Sequence, residues 1–316
     1  MVKDEDTKLK QALTVAKLYY EESLGQAAIA EKLQLSRPTI SRFLQLAKEE
    51  GLVKIKVENP FVDFQDLADI LSEKYEVNIR VVPDQYQEQK NMLDRLGAYT
   101  AAYLTKIVQP TDIIGIGWGK TVHAVTSQLE KQEITGVQTV QLKGSFSFGD
   151  EKTYAYESMN ELADAFNAQA QYLPLPTFFD NQTTKKLVEQ DRFIKSILRL
   201  GKQANIALFT VGSVRKDALL FNLGHLDERQ KTKLREEAVG DVVSRFIDSR
   251  GQLVNQELDS RTVGIELDEL KKKEHSILVA GGAKKAAAVH AVLKAGYANQ
   301  GIFDLVLAQN LMNYAG

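Results

Sequence analysis

From residue 79 to residue 305, short apolar runs alternate with amphipathic stretches, and few folds accept that pattern. Ile79–Val82, Asp112–Gly117, Val137–Leu142, Ile206–Thr210, Ser276–Ala280 and Ile302–Leu305 read as strands. Asn91–Ile107 and Thr121–Leu129 read as helices, and helical stretches fill most of the other gaps. Strands that alternate with helices predict a parallel sheet covered on both faces. Sheets of this kind bind ligands beyond the carboxyl ends of their strands. A chain of 316 residues with 44% hydrophobic content can bury the core such a sheet needs, as one large domain or two unequal ones.

The first sixty residues follow a different pattern. Residues 9–23 predict a helix with Leu9, Leu13, Ala16 and Tyr20 on one side. Gln26–Leu33 predicts a short helix, and Gln34-Leu35 a tight connection. Ser36 is placed to cap a second helix, and Pro38 is tolerated in its first turn. Ile40, Phe43, Leu44 and Ala47 form the apolar stripe of that helix, Gly51 ends it, and Leu52–Val57 reads as a strand. Short helix, tight turn and capped second helix predict a helix-turn-helix. Gln26, Ser36, Arg37, Thr39, Ser41, Arg42 and Gln45 are its candidate DNA contacts, carrying the donors and acceptors that read base edges or hold phosphates. Gln26–Lys56 holds six Lys/Arg against three Asp/Glu. Lys54 and Lys56 read either as a wing on phosphates or as solvated edge residues. A plain helical hairpin with a solvated face is the competing reading. Asn59-Pro60 breaks the chain, so the expected division is a helix-turn-helix domain, residues 1–58, and a Rossmann-like parallel α/β domain, residues 59–316.

Composition excludes several chemistries. There is no cysteine, hence no disulfide, thiolate nucleophile or thiolate-bound metal. The four histidines, His123, His225, His275 and His290, have no metal-ligand spacing. A net charge of −2 gives no global attraction to nucleic acid, so any such surface is local. The charged N-terminus is not a signal peptide, and no apolar run approaches the roughly 20 residues that span a bilayer. These readings predict a soluble, cytoplasmic protein with no membrane partner and no cofactor.

Three strand ends carry glycine. "DIIGIGWGKTV" contributes Gly115, Gly117 and Gly119, "ALFTVGSV" contributes Gly212, and "SILVAGGAKKAAAVHAVL" contributes Gly281 and Gly282 with Lys284 and Lys285 beyond them. Glycine lets backbone N–H groups approach an anion at a helix start. The first loop lacks the Walker spacing and makes a poor dinucleotide fingerprint. A phosphate site and ordinary glycine turns both remain open. Trp118 reads as a ligand-stacking ring or as a wall, and Tyr154 and Tyr156 as sugar contacts or core. Paired carboxylates such as Glu236-Glu237 read as solvated faces.

These stretches, with "IAEKLQLSRPTISRFLQLAKEEGLVKIKV", "VQLKGSFS", "QYLPLP" and "AVGDVVSRFIDSRG", resemble the SorC family of sugar-binding transcriptional regulators, and more closely its deoxyribonucleoside subgroup. The resemblance covers nearly the whole chain. It implies an operator-binding domain and a sugar-phosphate sensor related to sugar-phosphate isomerases, assembled as a homo-oligomer, typically a tetramer. It assigns Gly117, Trp118, Gly119 and Thr121 to the effector phosphate, Lys285 to the lysine after the Gly-Gly turn (Gly281, Gly282), and Asp241 to the sugar. Many relatives have Asn or Arg at the position of Lys143; lysine there agrees with the subgroup.

Lys143, at the mouth of a strand, has three readings. With deoxyribose 5-phosphate as effector, its amine condenses with the open-chain aldehyde to a Schiff base. Alternatively it is a protonated donor to the ligand, or a solvated strand end. The covalent reading requires a lowered pKa, expected from desolvation with Lys120 or Lys285 nearby. The function expected is a repressor released by a phosphorylated sugar. An aldolase or isomerase fused to a DNA-binding module is the rival, and a ligand-free DNA binder the second.

Overall fold

The computed structural model describes residues 2–22, 24–53, 63–82, 91–145 and 152–314, with side chains from residue 8. The chain divides into two compact units, Met1–Phe61 and Val62–Gly316. The division expected at 58/59, the strand Leu52–Val57 beyond Val53, and the wing lysines Lys54 and Lys56 fall at 54–62, outside the described residues.

The first unit contains helices α1 (Val2–Tyr20), α2 (Gln26–Leu33) and α3 (Arg37–Glu49). Gln34 ends α2 in the left-handed region, with φ 54°. Ser36 then caps α3 by accepting the Thr39 N–H at 3.3 Å, and Pro38 occupies the first turn, where a missing N–H costs no intrahelical bond. Ile29, Ile40 and Leu44 pack with Val15 and Leu18 of α1. The stripe expected on α1 is corrected here. Its buried residues are Ala12, Val15, Ala16 and Leu18, while Leu13 and Tyr20 are exposed. Overlapping stripes of an apolar-rich helix satisfy the same period, and only the packing partners choose between them.

The second unit is built on a seven-stranded sheet. Its strands are β1 (Asn78–Val81), β2 (Ile113–Ile116), β3 (Gln138–Gln141), β4 (Ala170–Gln171), β5 (Ile206–Phe209), β9 (His275–Ala280) and β10 (Gln300–Phe303). They lie in the order β1-β10-β9-β5-β2-β3-β4, every pair parallel. Register places Ile114 of β2 opposite Ile206 on one side and Thr139 on the other. Successive side chains go to opposite faces. Ala207 and Phe209 join one core with α4 (Phe64–Tyr75) and the helix Ala286–Lys294. Ile206 and Leu208 join the other, with α5 (Met92–Ile107) and α6 (Lys120–Thr126). Burial on both faces is what near-continuous apolar strands require.

A second sheet was not expected. β6 (Val211–Gly212), β7 (Gly240–Val242) and β8 (Arg245–Ile247) form an antiparallel sheet beyond the end of β5. Among the described residues no helix is long and apolar enough to cross a membrane.

Candidate functional site

Sheet order locates the crevice. From β2 the chain continues to β3 on one side; from β5 it continues to β9 on the other. The connections diverge between β2 and β5, and such a switch point leaves a cleft beyond the carboxyl ends of the strands. A cavity of about 500 Å³ lies there. It is lined by Trp118–Thr121 after β2, Lys143 after β3, Thr210–Ser213 after β5, Asp241 on β7 and Lys285 after β9. Three segments beyond strand ends and the strand β7 thus bring together Trp118, Gly119, Thr121, Lys143, Asp241 and Lys285.

Of the four glycines assigned to the effector, three lie outside the cavity wall. Gly117 continues the sheet, its N–H donating to the Leu208 carbonyl at 2.9 Å. Gly281 is a packing glycine, since a Cβ there would stand 2.3 Å from Met92 Sδ. Gly282 donates its N–H to Asp304 at 2.9 Å. Gly119 does line the cavity, with φ +126°, which few side-chain-bearing residues adopt. Tyr154 and Tyr156 border another cavity, where Tyr154 stacks on His123 at 4.5 Å and Tyr156 on Tyr172 at 5.2 Å. The wall contributed by Thr210, Arg215, Asp217 and Asn222 escaped the sequence reading. Its signal was the run of polar and charged residues directly after "LFTVG".

Lys143 is only 6% exposed. Its ammonium nitrogen lies 3.7 Å from the centroid of the Trp118 ring. Trp118, 4% exposed, is fixed as a wall by donating its indole N–H to the Gly144 carbonyl at 2.8 Å. Burial pulls the Lys143 pKa down to about 8, and the opposing pull comes from the Asp241 carboxylate. Burial alone supplies the lowering; Lys120 and Lys285, the expected neighbours, contribute none of it. Lys285 is also lowered to about 8 by burial, against Asp241 and Asp304, and its Nζ donates to the Thr210 hydroxyl at 3.2 Å. Asp241 is 3% exposed; burial raises its pKa, while Lys143, the Ser244 N–H and Lys285 hold it back. Its Oδ2 accepts that N–H at 3.0 Å.

Each ionisable group is therefore anchored to a neutral one: Lys143 to an indole face, Lys285 to a hydroxyl, Asp241 to a backbone amide. None is in an ion pair with another among the described residues. Two lysines and a carboxylate facing one another across a desolvated cavity match a ligand that carries both an anionic group and polar oxygens.

In the first unit, Arg37, Ser41, Arg42 and Gln45 project from α3, exposed and opposite buried Ile40, Leu44 and Ala47. Ser36 and Thr39 share a hydroxyl contact of 2.7 Å at the helix start, and Gln26 is half-buried at the start of α2. Gln45 donates to Glu49 at 2.9 Å.

A family model described as "Putative sugar-binding domain" matches residues 59–313. The deoxyribonucleoside regulator of Bacillus subtilis (strain 168) is 44% identical over 307 residues, covering 96% of this chain and 98% of its own. The chain belongs to the SorC family of sugar-binding transcriptional regulators. The full-length sorbitol operon regulator SorC of Klebsiella pneumoniae superposes on this SorC-family chain with a TM-score of 0.72 at 26% identity, covering 96% of it and 99% of SorC. A domain of a "possible sugar-binding transcriptional regulator" from Arthrobacter aurescens TC1 does so with a TM-score of 0.73 at 31% identity, over 81% of this chain and 100% of its own. Because the likeness spans both units, this SorC-family protein is a DNA-binding transcriptional regulator.

Proposed function

We propose that this regulator is a repressor of deoxyribonucleoside or sugar catabolism genes, released from its operator by deoxyribose 5-phosphate bound in the switch-point cavity. The observation that carries the effector reading is Lys143, almost wholly buried and lowered to about 8 at the mouth of β3. At pH 7 a lysine with that pKa is a neutral amine in about one molecule in ten, roughly 300 times more than an unperturbed lysine. The amine condenses with the open-chain aldehyde to an imine, and the phosphate lies toward Gly119, Thr121 and Lys285. The likeness to a deoxyribonucleoside regulator supports this choice of sugar. Borohydride added to the protein with deoxyribose 5-phosphate is expected to leave a mass adduct on Lys143. An unmodified Lys143 with unimpaired effector binding removes the covalent step. The Trp118 contact supports a second reading, in which Lys143 stays protonated over the ring and donates to the ligand, since a ring face favours a cation.

On the DNA side, α3 enters the major groove with Arg37, Ser41, Arg42 and Gln45 at base edges or phosphates, while Ser36, Thr39 and Gln26 fix the helix start. A tetramer places paired units on two half-sites about one helical turn apart. The effector loosens this grip only by as much as it prefers the released state. A mobility-shift titration tests the sign: deoxyribose 5-phosphate is expected to free the operator, and tighter binding reverses the proposal.

A further inference from the structure

Imine formation needs a proton at a defined moment. The Lys143 nitrogen attacks the aldehyde carbon, and a proton passes from nitrogen to oxygen to give a carbinolamine. The carbon–oxygen bond then breaks as the nitrogen lone pair forms C=N, and the hydroxyl leaves as water only if it receives a proton. The cavity contains two carboxyl groups, Asp217 and Asp241. Asp217 is exposed and paired with Arg215 at 3.2 Å, which holds its pKa below the usual carboxylate range. Asp241 is buried, and it is the charged group whose field acts on Lys143.

Its geometry is fixed from two sides. Oδ2 accepts the Ser244 N–H, while Oδ1 takes no hydrogen bond among the described residues. Oδ1 lies against the Cα of Gly212 across the β6–β7 pair, so close that a Cβ there would stand 1.7 Å from it. Asp241 and Lys143 line the same cavity and act on each other electrostatically, and no ion pair joins them among the described residues.

We propose that Asp241 is the proton donor that expels water from the carbinolamine on Lys143, and that its carboxylate recovers a proton from attacking water when the imine is hydrolysed. The inference rests on the imine reading above. It makes the covalent effector rapidly reversible, so that the operator is reoccupied when the sugar phosphate is spent. Burial, which raises the Asp241 pKa, keeps the group protonated to higher pH than a solvated aspartate.

The test uses the full-length protein and its Asp241→Asn variant, whose amide oxygen can still accept the Ser244 N–H. Both are mixed with deoxyribose 5-phosphate and quenched with borohydride at successive times, and the Lys143 adduct is measured by mass. Affinity for 2-deoxyribitol 5-phosphate, which has no aldehyde, is measured in parallel. The variant is expected to trap about 100-fold more slowly, a fall at least ten times that in alditol affinity. Equal falls in both mark a binding contact only and overturn the proposal, as does trapping at the wild-type rate. A loss that follows Lys285→Met and spares Asp241→Asn makes Lys285 the donor and overturns it too. No adduct on the wild-type protein sinks the imine itself, and the donor role with it. Should Asp241→Asn fail to fold, the wild-type pH profile decides. Lys143 and Lys285 face Asp241, and Lys120, Arg215 and Asp217 complete the charged groups of the cavity. The trapping rate is expected to pass through a maximum and fall on the alkaline side as the donor proton is lost. A steady rise to a plateau as Lys143 deprotonates overturns the proposal.

Discussion

At the scale of the residue, the cavity stands on a few desolvated charges. A lysine lowered to about 8 when folded and near 10.5 when unfolded opposes folding at neutral pH, because the native state must bury the ammonium or give up its proton. Between pH 8 and 10.5 the unfolded chain binds more protons than the folded one, so this penalty is relieved as pH rises. Lys285 and Lys273, each also lowered to about 8 by burial, have the same sign. Tyr75, pushed up to about 12, acts in the opposite direction above pH 10. The denaturation midpoint is therefore expected to rise from pH 8 to 10. Lys143→Met should remove a share of at most about 3 kcal/mol of that rise; an unchanged slope in urea titrations would mean that Lys143 is solvated. Gly212 gives a second prediction. Alanine there would place its Cβ 1.7 Å from Asp241 Oδ1, and both β6 and β7 are held in the small sheet. Gly212→Ala is expected to cost about 1–3 kcal/mol of stability and to weaken effector binding, read by thermal melts with and without deoxyribose 5-phosphate.

At the scale of the element, the β7–β8 hairpin decides where Asp241 points. Its two-residue turn is Val243–Ser244, with φ of 45° and 71°. Both signs are positive, as tight hairpins need, yet the usual Asn-Gly is replaced by a β-branched residue and a serine. A valine in that region is strained by about 1–3 kcal/mol. The Ser244 N–H on Asp241 holds the turn in place. Val243→Gly is expected to raise the melting temperature, by an amount equivalent to about 1 kcal/mol, with the effector affinity kept. A lower melting temperature would show that the Val243 side chain, which packs in the core beside Val242 and Ile247, outweighs the strain. The same features hid the hairpin from sequence. Strands of two and three residues carry no measurable period, and the turn lacks its usual residues. The capped α3 was legible for the converse reason, because Ser36, Pro38 and the Ile40/Leu44/Ala47 stripe all act within a few residues of one another.

At the scale of the whole molecule, the proposed function joins a reader of phosphates to a cavity for a small anion. Exposed Arg37 and Arg42 on α3 predict salt-sensitive operator binding. Arg42→Ala is expected to lower operator affinity by about 1–3 kcal/mol if the side chain reaches a base, with melting temperature and effector affinity unchanged. If it reaches a phosphate instead, the slope of log affinity against log salt should fall by about one. An unaltered affinity and slope would remove Arg42 from the interface. By itself the sequence determined the longer strands and helices of both units, and that Lys143, Gly119 and Lys285 stand beyond the ends of strands. Periodicity and capping are local, written within a dozen residues. Tertiary structure alone decided that β5 lies between β2 and β9, which opens the crevice, and that Asp241 arrives there on an unforeseen hairpin. It also decided that burial, rather than a neighbouring amine, tunes Lys143. Strand order and desolvation arise from groups far apart along the chain, and no local pattern of residues encodes how closely those groups pack.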